Sequence, residues 1–564
     1  MNPFNPRKSV SYSDYKQTKW NGWGAPEKSF KIADRPGLEQ FLSQKLGVFS
    51  FHPEGCTPLD DVTLNPGRLT GGARKDLSGM VGAENVREDR EARASHALGK
   101  SYEDLVMARR GELAHPPDAV IFPGGAREIR EILAWASDNN VAVVPFGGGT
   151  SVVGGVTPLS GPGQDLVIVL DLERMNKILF LDPRSQTMKV EPGIRGPVLE
   201  ECLQPQGLTL GHLPQSFEFS TVGGWIATRS MGQFSARYGG IEELVVGLNI
   251  ETPAGEIEIK GVPARASGPE IRDVLIGSEG CLGIITLSEM RLHRRPEARS
   301  NIAYLLPNFE TGTEAARELM QQKVPIAMIH LYDEEETELV LALEPRATGL
   351  RDYLRRGIDR VLLQGRGLGR PSLLLLALEG RKRKVAQDAQ DVSAFLDSRG
   401  GYDIGESPGK SFERDLFLFP YLRDFLIGIG LMVETFDTSL SWSAIPRLYS
   451  NVRKSISKVA EERGVRCSIG CRISHAYSSG ACLHFTILAP VWHGDELRLS
   501  RACKLAGIEA IIRGGGSLSH HSGIGSLHRE WMMQEHGPVG LSALKALKQA
   551  LDPTGILNPG KLLP

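Results

Sequence analysis

Pro145 to Ser151 reads PFGGGTS and follows the strand-like run Val141 to Val144. Without Cβ atoms, Gly147, Gly148 and Gly149 can take positive φ and turn successive N–H groups into one concavity, to which Thr150 and Ser151 add hydroxyls. A pyrophosphate needs such uncovered amides, so the loop reads as a dinucleotide cradle, with a glycine-rich surface turn as the alternative. It is not a P-loop, because no Gly-Lys-Ser/Thr follows. Nor is it the GxGxxG turn of a Rossmann unit, because no acidic ribose ligand sits at the expected distance.

Working outward, His115 to Val120 (HPPDAV) opens a strand, and Ala126 to Ser137 spaces Ile129, Ile132, Leu133 and Ala136 as one helix face. Downstream come Gln215 to Thr221 (QSFEFST), Trp225 to Met231 (WIATRSM) and Gly277 to Gly283 (GSEGCLG), the last leading into a strand, Ile284 to Leu287. In order and spacing these segments resemble the FAD-binding domain of the vanillyl-alcohol oxidase (PCMH) type. The resemblance implies FAD held by Pro145, Phe146, Gly147, Gly148, Gly149, Thr150 and Ser151, and by Gln215, Ser216, Phe217, Glu218, Phe219, Ser220 and Thr221. It adds Thr228, Arg229, Ser230 and Met231, then Gly277, Ser278, Glu279, Gly280, Cys281, Leu282 and Gly283. Relatives with covalent FAD often carry a histidine in the first loop, where this chain has Thr150, so the expected linkage is non-covalent.

Lys19 to Gly24 (KWNGWG) and Ser517 to Gly525 (SLSHHSGIG) resemble signatures of the alkyldihydroxyacetonephosphate synthase family, one branch of that superfamily. Further landmarks are Tyr238 to Val245 (YGGIEELV), Tyr421 to Asp424 (YLRD), Cys471 to Phe485 and Leu551 to Lys561 (LDPTGILNPGK), so the likeness runs from about Lys19 to the terminus. It implies an α+β protein: a two-subdomain FAD-binding domain under an α+β cap. The expected division is an irregular N-terminal arm (1–90), the FAD-binding domain (91–300), the cap (301–510) and a C-terminal segment (511–564) that returns to the FAD domain and active site. Strands are expected at Leu166 to Leu170, Ala303 to Leu306, Ser372 to Leu378 and Ala481 to Leu488.

Composition fits an ordinary globular chain. The 564 residues exceed one core, and 65 Lys+Arg against 67 Asp+Glu give a net charge of −2, which offers no general attraction to nucleic acid. The seven scattered cysteines imply free thiols in a reducing compartment, with Cys467 and Cys471 at helical rather than zinc-ribbon spacing. The opening MNPFNPRKSV has no secretory core, and the closing Lys561 to Pro564 (KLLP) is not a peroxisomal tripeptide, so the expected location is cytoplasmic. The apolar stretch Leu416 to Val433 is broken by Pro420, Arg423 and Asp424 and cannot span a bilayer as one clean helix. Peripheral membrane contact stays open, and the family resemblance implies a homodimer.

Seven of the 13 histidines fall after residue 470, so acid–base groups are sought there. His493, His528 and His536 read as surface or structural residues. His520 and His521 lie in the glycine-rich loop that the family places at its active site. In the family, flavin N5 attacks C1 of acyl-dihydroxyacetone phosphate after a base removes a C1 proton, and a fatty alcohol then replaces the fatty acid. The resemblance assigns the phosphate to Arg423, for which the alternative is a salt bridge with Asp424 or Glu434. The stretch around it either lines a lipid tunnel or forms a plain buried helix. Three positions depart from the family: His484 replaces its catalytic tyrosine, His330 its active-site arginine, and Ser522 the last of three histidines. The expected catalytic set is therefore His484, His520, His521 and His330, with His484 as base and no metal. A rival reading resembles flavin-dependent 2-hydroxy-acid dehydrogenases, with zinc on His475, His484 and His521.

Overall fold

The computed structural model describes residues 18–48, 55–344, 369–492 and 494–564; His493 lies outside them. Three sheets organise these residues. The first is four-stranded: β1 (Val86–Arg87), β2 (Ala119–Ile121), β3 (Ala142–Phe146) and β4 (Val167–Asp171), in the order β1-β2-β4-β3. β2 and β3 both run parallel to β4, which is buried along its whole length, as an unbroken apolar run in a parallel sheet should be. The helix Ala126–Asp138 buries Ile129, Ile132, Leu133 and Ala136, the face expected from their spacing.

The second sheet is antiparallel and five-stranded: β5 (Ile178–Asp182), β6 (Thr187–Val190), β8 (Val245–Thr252), β9 (Gly255–Ile259) and β10 (Ile284–Arg291), ordered β5-β6-β10-β8-β9. A ribbon of β7 (Leu208–Thr209) and β11 (His293–Arg294) flanks it. The third sheet has seven antiparallel strands. They are β12 (Ala298–Leu306), β13 (Ile326–Tyr332), β14 (Ser372–Gly380), β15 (Tyr402–Asp403), β16 (Leu431–Ser441), β17 (Ser468–Ala476) and β18 (Gly480–Pro490), ordered β15-β12-β14-β13-β17-β18-β16.

Both chain ends bind these layers together. Val143 donates to the Ile556 carbonyl at 2.8 Å and accepts from the Asn558 amide at 2.9 Å, so the C-terminal residues extend the first sheet beside β3. The described part of the arm lies across the body: Trp23 meets Phe219 edge-on at 5.7 Å, and the helix Pro36–Leu46 buries Leu38, Phe41, Leu42 and Leu46.

Two local expectations are corrected. The arm is less irregular than its composition suggests, because Gly71–Val81 is a helix. Thr70 caps it by accepting from the Ala73 amide at 3.2 Å, and Leu77 and Val81, four apart, are buried; its glycines hid that period. Cys467 and Cys471 are not on a helix, since Cys471 lies within β17. The described cysteines are all free.

Candidate active site

The apolar stretch expected as tunnel or buried helix forms the helix Phe419–Gly428, with Pro420 in its first turn, where a missing N–H costs nothing, and then turns into β16. This helix, the glycine loop, the 215–231 segment and β16 to β18 enclose a cavity of about 260 Å³. A second cavity, of about 90 Å³, runs between the first two sheets past Ser278, Glu279, Gly280 and Gly283. The two share Gly147, Ser151, Thr221, Gly224 and Thr228, so they form one trench. Its narrow point depends on missing side chains. A Cβ on Gly147 would lie 2.4 Å from Thr221 Oγ1, and one on Gly148 would lie 2.0 Å from the Phe219 carbonyl oxygen.

Most of the residues expected to hold the cofactor border this trench: Pro145 to Ser151, Gln215, Ser216, Ser220, Thr221, Thr228, Ser230, Met231, Ser278, Glu279, Gly280 and Gly283. Others stand behind the wall. Phe217 stacks on Trp225 and Phe417, Glu218 pairs with Lys28, and Arg229 donates to the Asp273 carbonyl. Leu282 is in the core of the second sheet, and the Cys281 thiol points to the Asn558 and Lys561 carbonyls. Glu279 does more than border the trench. Its carboxylate accepts from the amides of Ile524 (2.6 Å) and Gly525 (2.7 Å), which ties the cofactor-side loop to the histidine loop.

Strand register builds the opposite wall. Tyr332 pairs with Arg472, Arg472 with His484, and His484 with Asp437, which makes one row across β13, β17, β18 and β16. Directly opposed residues project from the same face. Arg472 forms a buried ion pair with Glu336, which also accepts from Thr486 at 3.3 Å. Burial, with the Arg472 guanidinium beside it, pushes His484 well below the ordinary histidine range, and its Nδ1 has no partner among the described residues.

Asp437, 2% exposed, organises the histidine loop. Its Oδ1 accepts from the backbone amides of His520 (2.6 Å) and His521 (2.9 Å), and its Oδ2 accepts from Ser522 Oγ. Burial works against its charge, but His521 and Ser522 outweigh it and hold the carboxyl well below the usual carboxylate range. His520 Nδ1 is 2.9 Å from His521 Nδ1, and its Nε2 is 2.6 Å from the Tyr477 hydroxyl. Burial, with His521 adjacent, pushes His520 down to about 3.

His484 and His521 thus line the main cavity, and His520 stands behind His521. His330 does not reach the cavity wall. Its ring is buried against Phe412 (4.9 Å) and Tyr332 (6.0 Å), and burial and Arg472 push it down to about 3. The zinc set of the rival reading is not the one brought together: His475, Cys482, His520 and His521 place donor atoms within 4.8 Å of one another, without His484. Both His520 nitrogens are already hydrogen-bonded, and Cys482 Sγ accepts from Ser474 Oγ. Of the residues expected to be surface or structural, His528 is buried with Nδ1 3.2 Å from the Gly523 carbonyl.

Arg423 faces the cavity without an ion partner among the described residues. Asp424 pairs with Arg109 (2.9 Å) and Lys19 (3.8 Å), and Glu434 with Lys504 (3.1 Å), so the salt bridges open to Arg423 are not made. Its Nη2 donates to the Lys100 carbonyl at 2.6 Å, and its buried Nε has no partner among the described residues. Reading the sequence missed Asp437, Arg472, Glu336 and Tyr477. The one signal for Arg472 was a charge inside the apolar alternation of a strand that is wholly buried.

Residues 117–259 match the FAD binding domain, and residues 295–562 match the C-terminal domain of FAD linked oxidases. With a bare glycine wall bordered by hydroxyls, the trench fits FAD; fold and site define an FAD-dependent enzyme of the FAD-linked oxidase class. The alkyldihydroxyacetonephosphate synthase of Dictyostelium discoideum is 31% identical over 98% of this chain and 94% of its own, and that of Trypanosoma brucei brucei is 32% identical over 98% and 93%. A solved alkyldihydroxyacetonephosphate synthase structure superposes with a TM-score of 0.83 at 29% identity, covering 99% of both chains. The chain belongs to the alkyldihydroxyacetonephosphate synthase family.

The glycine loop Pro145 to Ser151 carries no histidine or cysteine. Acid precipitation is therefore expected to leave the flavin in the supernatant; colour kept in the washed pellet would mean a covalent link. Among the described residues no helix is long and apolar enough to cross a membrane.

Proposed function

We propose that this enzyme exchanges the acyl group of an acyl-dihydroxyacetone phosphate for a fatty alcohol in ether-lipid synthesis. The observation that carries the reading is Arg423, a guanidinium with no ion pair among the described residues, lining the same cavity as the glycine loop, His484 and His521. One Nη2 hydrogen is given to the Lys100 carbonyl, and a guanidinium keeps further donors that suit two phosphate oxygens. Around it Leu339, Leu422, Leu426, Val433 and Leu488 make apolar walls suited to hydrocarbon chains. An apolar side cavity of about 50 Å³ adjoins through Phe419 and Leu422.

When bound, FAD supplies the nucleophilic N5 of its ring for exchange at C1. The chain supplies orientation and proton transfer. We assign the base to His521 rather than His484. Arg472, directly opposite His484, outweighs Asp437 on its other side and opposes a second positive charge there, whereas His521 lines the cavity on a loop anchored by Asp437. His484 then bounds the substrate cavity beside it. The same reading includes a division near residue 300 into a FAD-binding unit and a cap, a homodimer and a cytoplasmic location.

Product analysis tests this reading. Purified holoenzyme given acyl-dihydroxyacetone phosphate and a fatty alcohol should release free fatty acid and form the alkyl ether without an electron acceptor. Anaerobic bleaching of the flavin by a 2-hydroxy acid, with no ether formed, would overturn the proposal in favour of dehydrogenation.

A further inference from the structure

A base at His521 needs a route for the proton it takes. His521 contributes to the cavity wall, and its Nδ1 faces His520 Nδ1 at 2.9 Å. His520 reaches with Nε2 to the Tyr477 hydroxyl, 2.6 Å away. Tyr477 follows the end of β17 in the turn closed by its amide on the Gly480 carbonyl (2.8 Å), next to the exposed Ser478 and Ser479. Its hydroxyl is beside Ser235, and Glu242 and Glu243 act on it as the neighbouring carboxylates. Glu242 Oε2 is buried without a hydrogen-bond partner among the described residues, and Glu243 is exposed.

These contacts join two separate elements. The β17–β18 turn supplies Tyr477, and the histidine loop, held by Asp437 and Glu279, supplies the two imidazoles. A line of groups that each donate on one side and accept on the other leads from the cavity wall through Tyr477 to Ser235 and Glu242.

We propose that His521, His520 and Tyr477 form a proton relay between the reaction cavity and the protein surface. This rests on the reading of His521 as base. Only one proton can lie between the two Nδ1 atoms, and the relay takes it from His521. His520 Nδ1 then accepts, its Nε2–H donates to the tyrosine oxygen, and the tyrosine O–H points outward. That order leaves His521 Nε2 bare toward the cavity. When Nε2 takes a proton from C1, the electron pair of the C–H bond stays with the substrate. The Nδ1 proton passes to His520, the His520 Nε2 proton passes to the tyrosine, and the tyrosine proton passes to an acceptor beyond it, Glu242 or water. One proton leaves and no charge is stranded on an imidazole. Returning a proton to C1 later in the exchange runs the line backward and restores both tautomers. His520 and Tyr477 act through His521 and touch no reacting atom.

Tyr477→Phe removes one hydroxyl and keeps the ring. In the holoenzyme, washout of deuterium from C1 of the labelled acyl substrate into water should slow about 10–100-fold, with KM and flavin content unchanged. Added imidazole, a mobile proton carrier, should restore part of the rate. Wild-type washout in the variant overturns the relay, as does a loss that imidazole does not restore or that comes with lost flavin. A second measurement needs no substrate. Nitrogen-15 spectra of histidine-labelled holoenzyme should find His521 protonated on Nδ1 and His520 on Nε2, with the His520 signals displaced in Tyr477→Phe; the opposite tautomers overturn the relay. Absence of washout in the wild type means that the substrate reading has failed, and the tautomers then decide the relay alone.

Discussion

Arg423→Ala lowers kcat/KM for the phosphate substrate by about 10²–10³-fold while the purified protein keeps its flavin. Truncating one partner of an enclosed, hydrogen-bonded charge pair costs roughly 2–5 kcal/mol, and every 1.4 kcal/mol is a factor of about ten. Asp424 and Glu434 are committed to Arg109, Lys19 and Lys504, so no neighbouring ion pair collapses when the guanidinium goes. The loss should appear mainly in KM. Inorganic phosphate, expected to compete with substrate in the wild type, should no longer inhibit the variant. Arg423→Lys should recover part of the loss, since an ammonium keeps the charge without the two-pronged geometry. The contrary result is a variant that loses flavin or unfolds with substrate affinity unchanged. Arg423 would then serve through its bond to the Lys100 carbonyl, as a strut between the helix Phe419–Gly428 and the body.

Gly148→Ala is expected to yield protein almost free of flavin, and hence inactive. The new Cβ would lie 2.0 Å from the Phe219 carbonyl oxygen and 2.8 Å from its carbon. Both are backbone atoms that no rotamer change can move, so the glycine loop and the 219–221 segment must separate where they form the trench. Ordinary overpacking costs about 1–3 kcal/mol, and here the movement also opens the binding surface itself. Gly147→Ala should be milder, because the atom it meets at 2.4 Å belongs to the Thr221 side chain. The flavin-to-protein ratio, with circular dichroism to check folding, decides the matter. A folded Gly148→Ala protein with full flavin content would show that the loop's close approach to Phe219 is not needed for binding.

The features legible in the chain are local ones. The glycine run, the 3.6-residue period of Ala126 to Ser137 and the unbroken apolar run of β4 depend on residues within a few positions of one another. So does the intrusion of Arg423 into an apolar stretch, and these were enough to place a dinucleotide loop, the strands beside it and a charged residue that the structure brings to the cavity. The histidine loop was legible as a motif, although which ring meets the cavity was not. His330, His484, His520 and His521 look equivalent in sequence, yet His484 and His521 line the cavity, His520 stands behind His521, and His330 is enclosed by Phe412 and Tyr332.

That sorting depends on strand register and loop anchoring, both non-local. A shift of one residue between β17 and β18 would turn His484 to the other face of the sheet and break the row of Tyr332, Arg472, His484 and Asp437. Asp437 lies 83 positions from His520, and Glu279 lies 245 from Ile524, so neither carboxylate has a local pattern that betrays its partner. By itself the sequence determined that the chain folds around a flavin and carries a cluster of acid–base groups near its C-terminus. Only the tertiary structure decided which of those groups lie within hydrogen-bond distance of one another. Hydrogen bonding requires atoms within about 3 Å, and strand pairing and loop anchoring bring them that close.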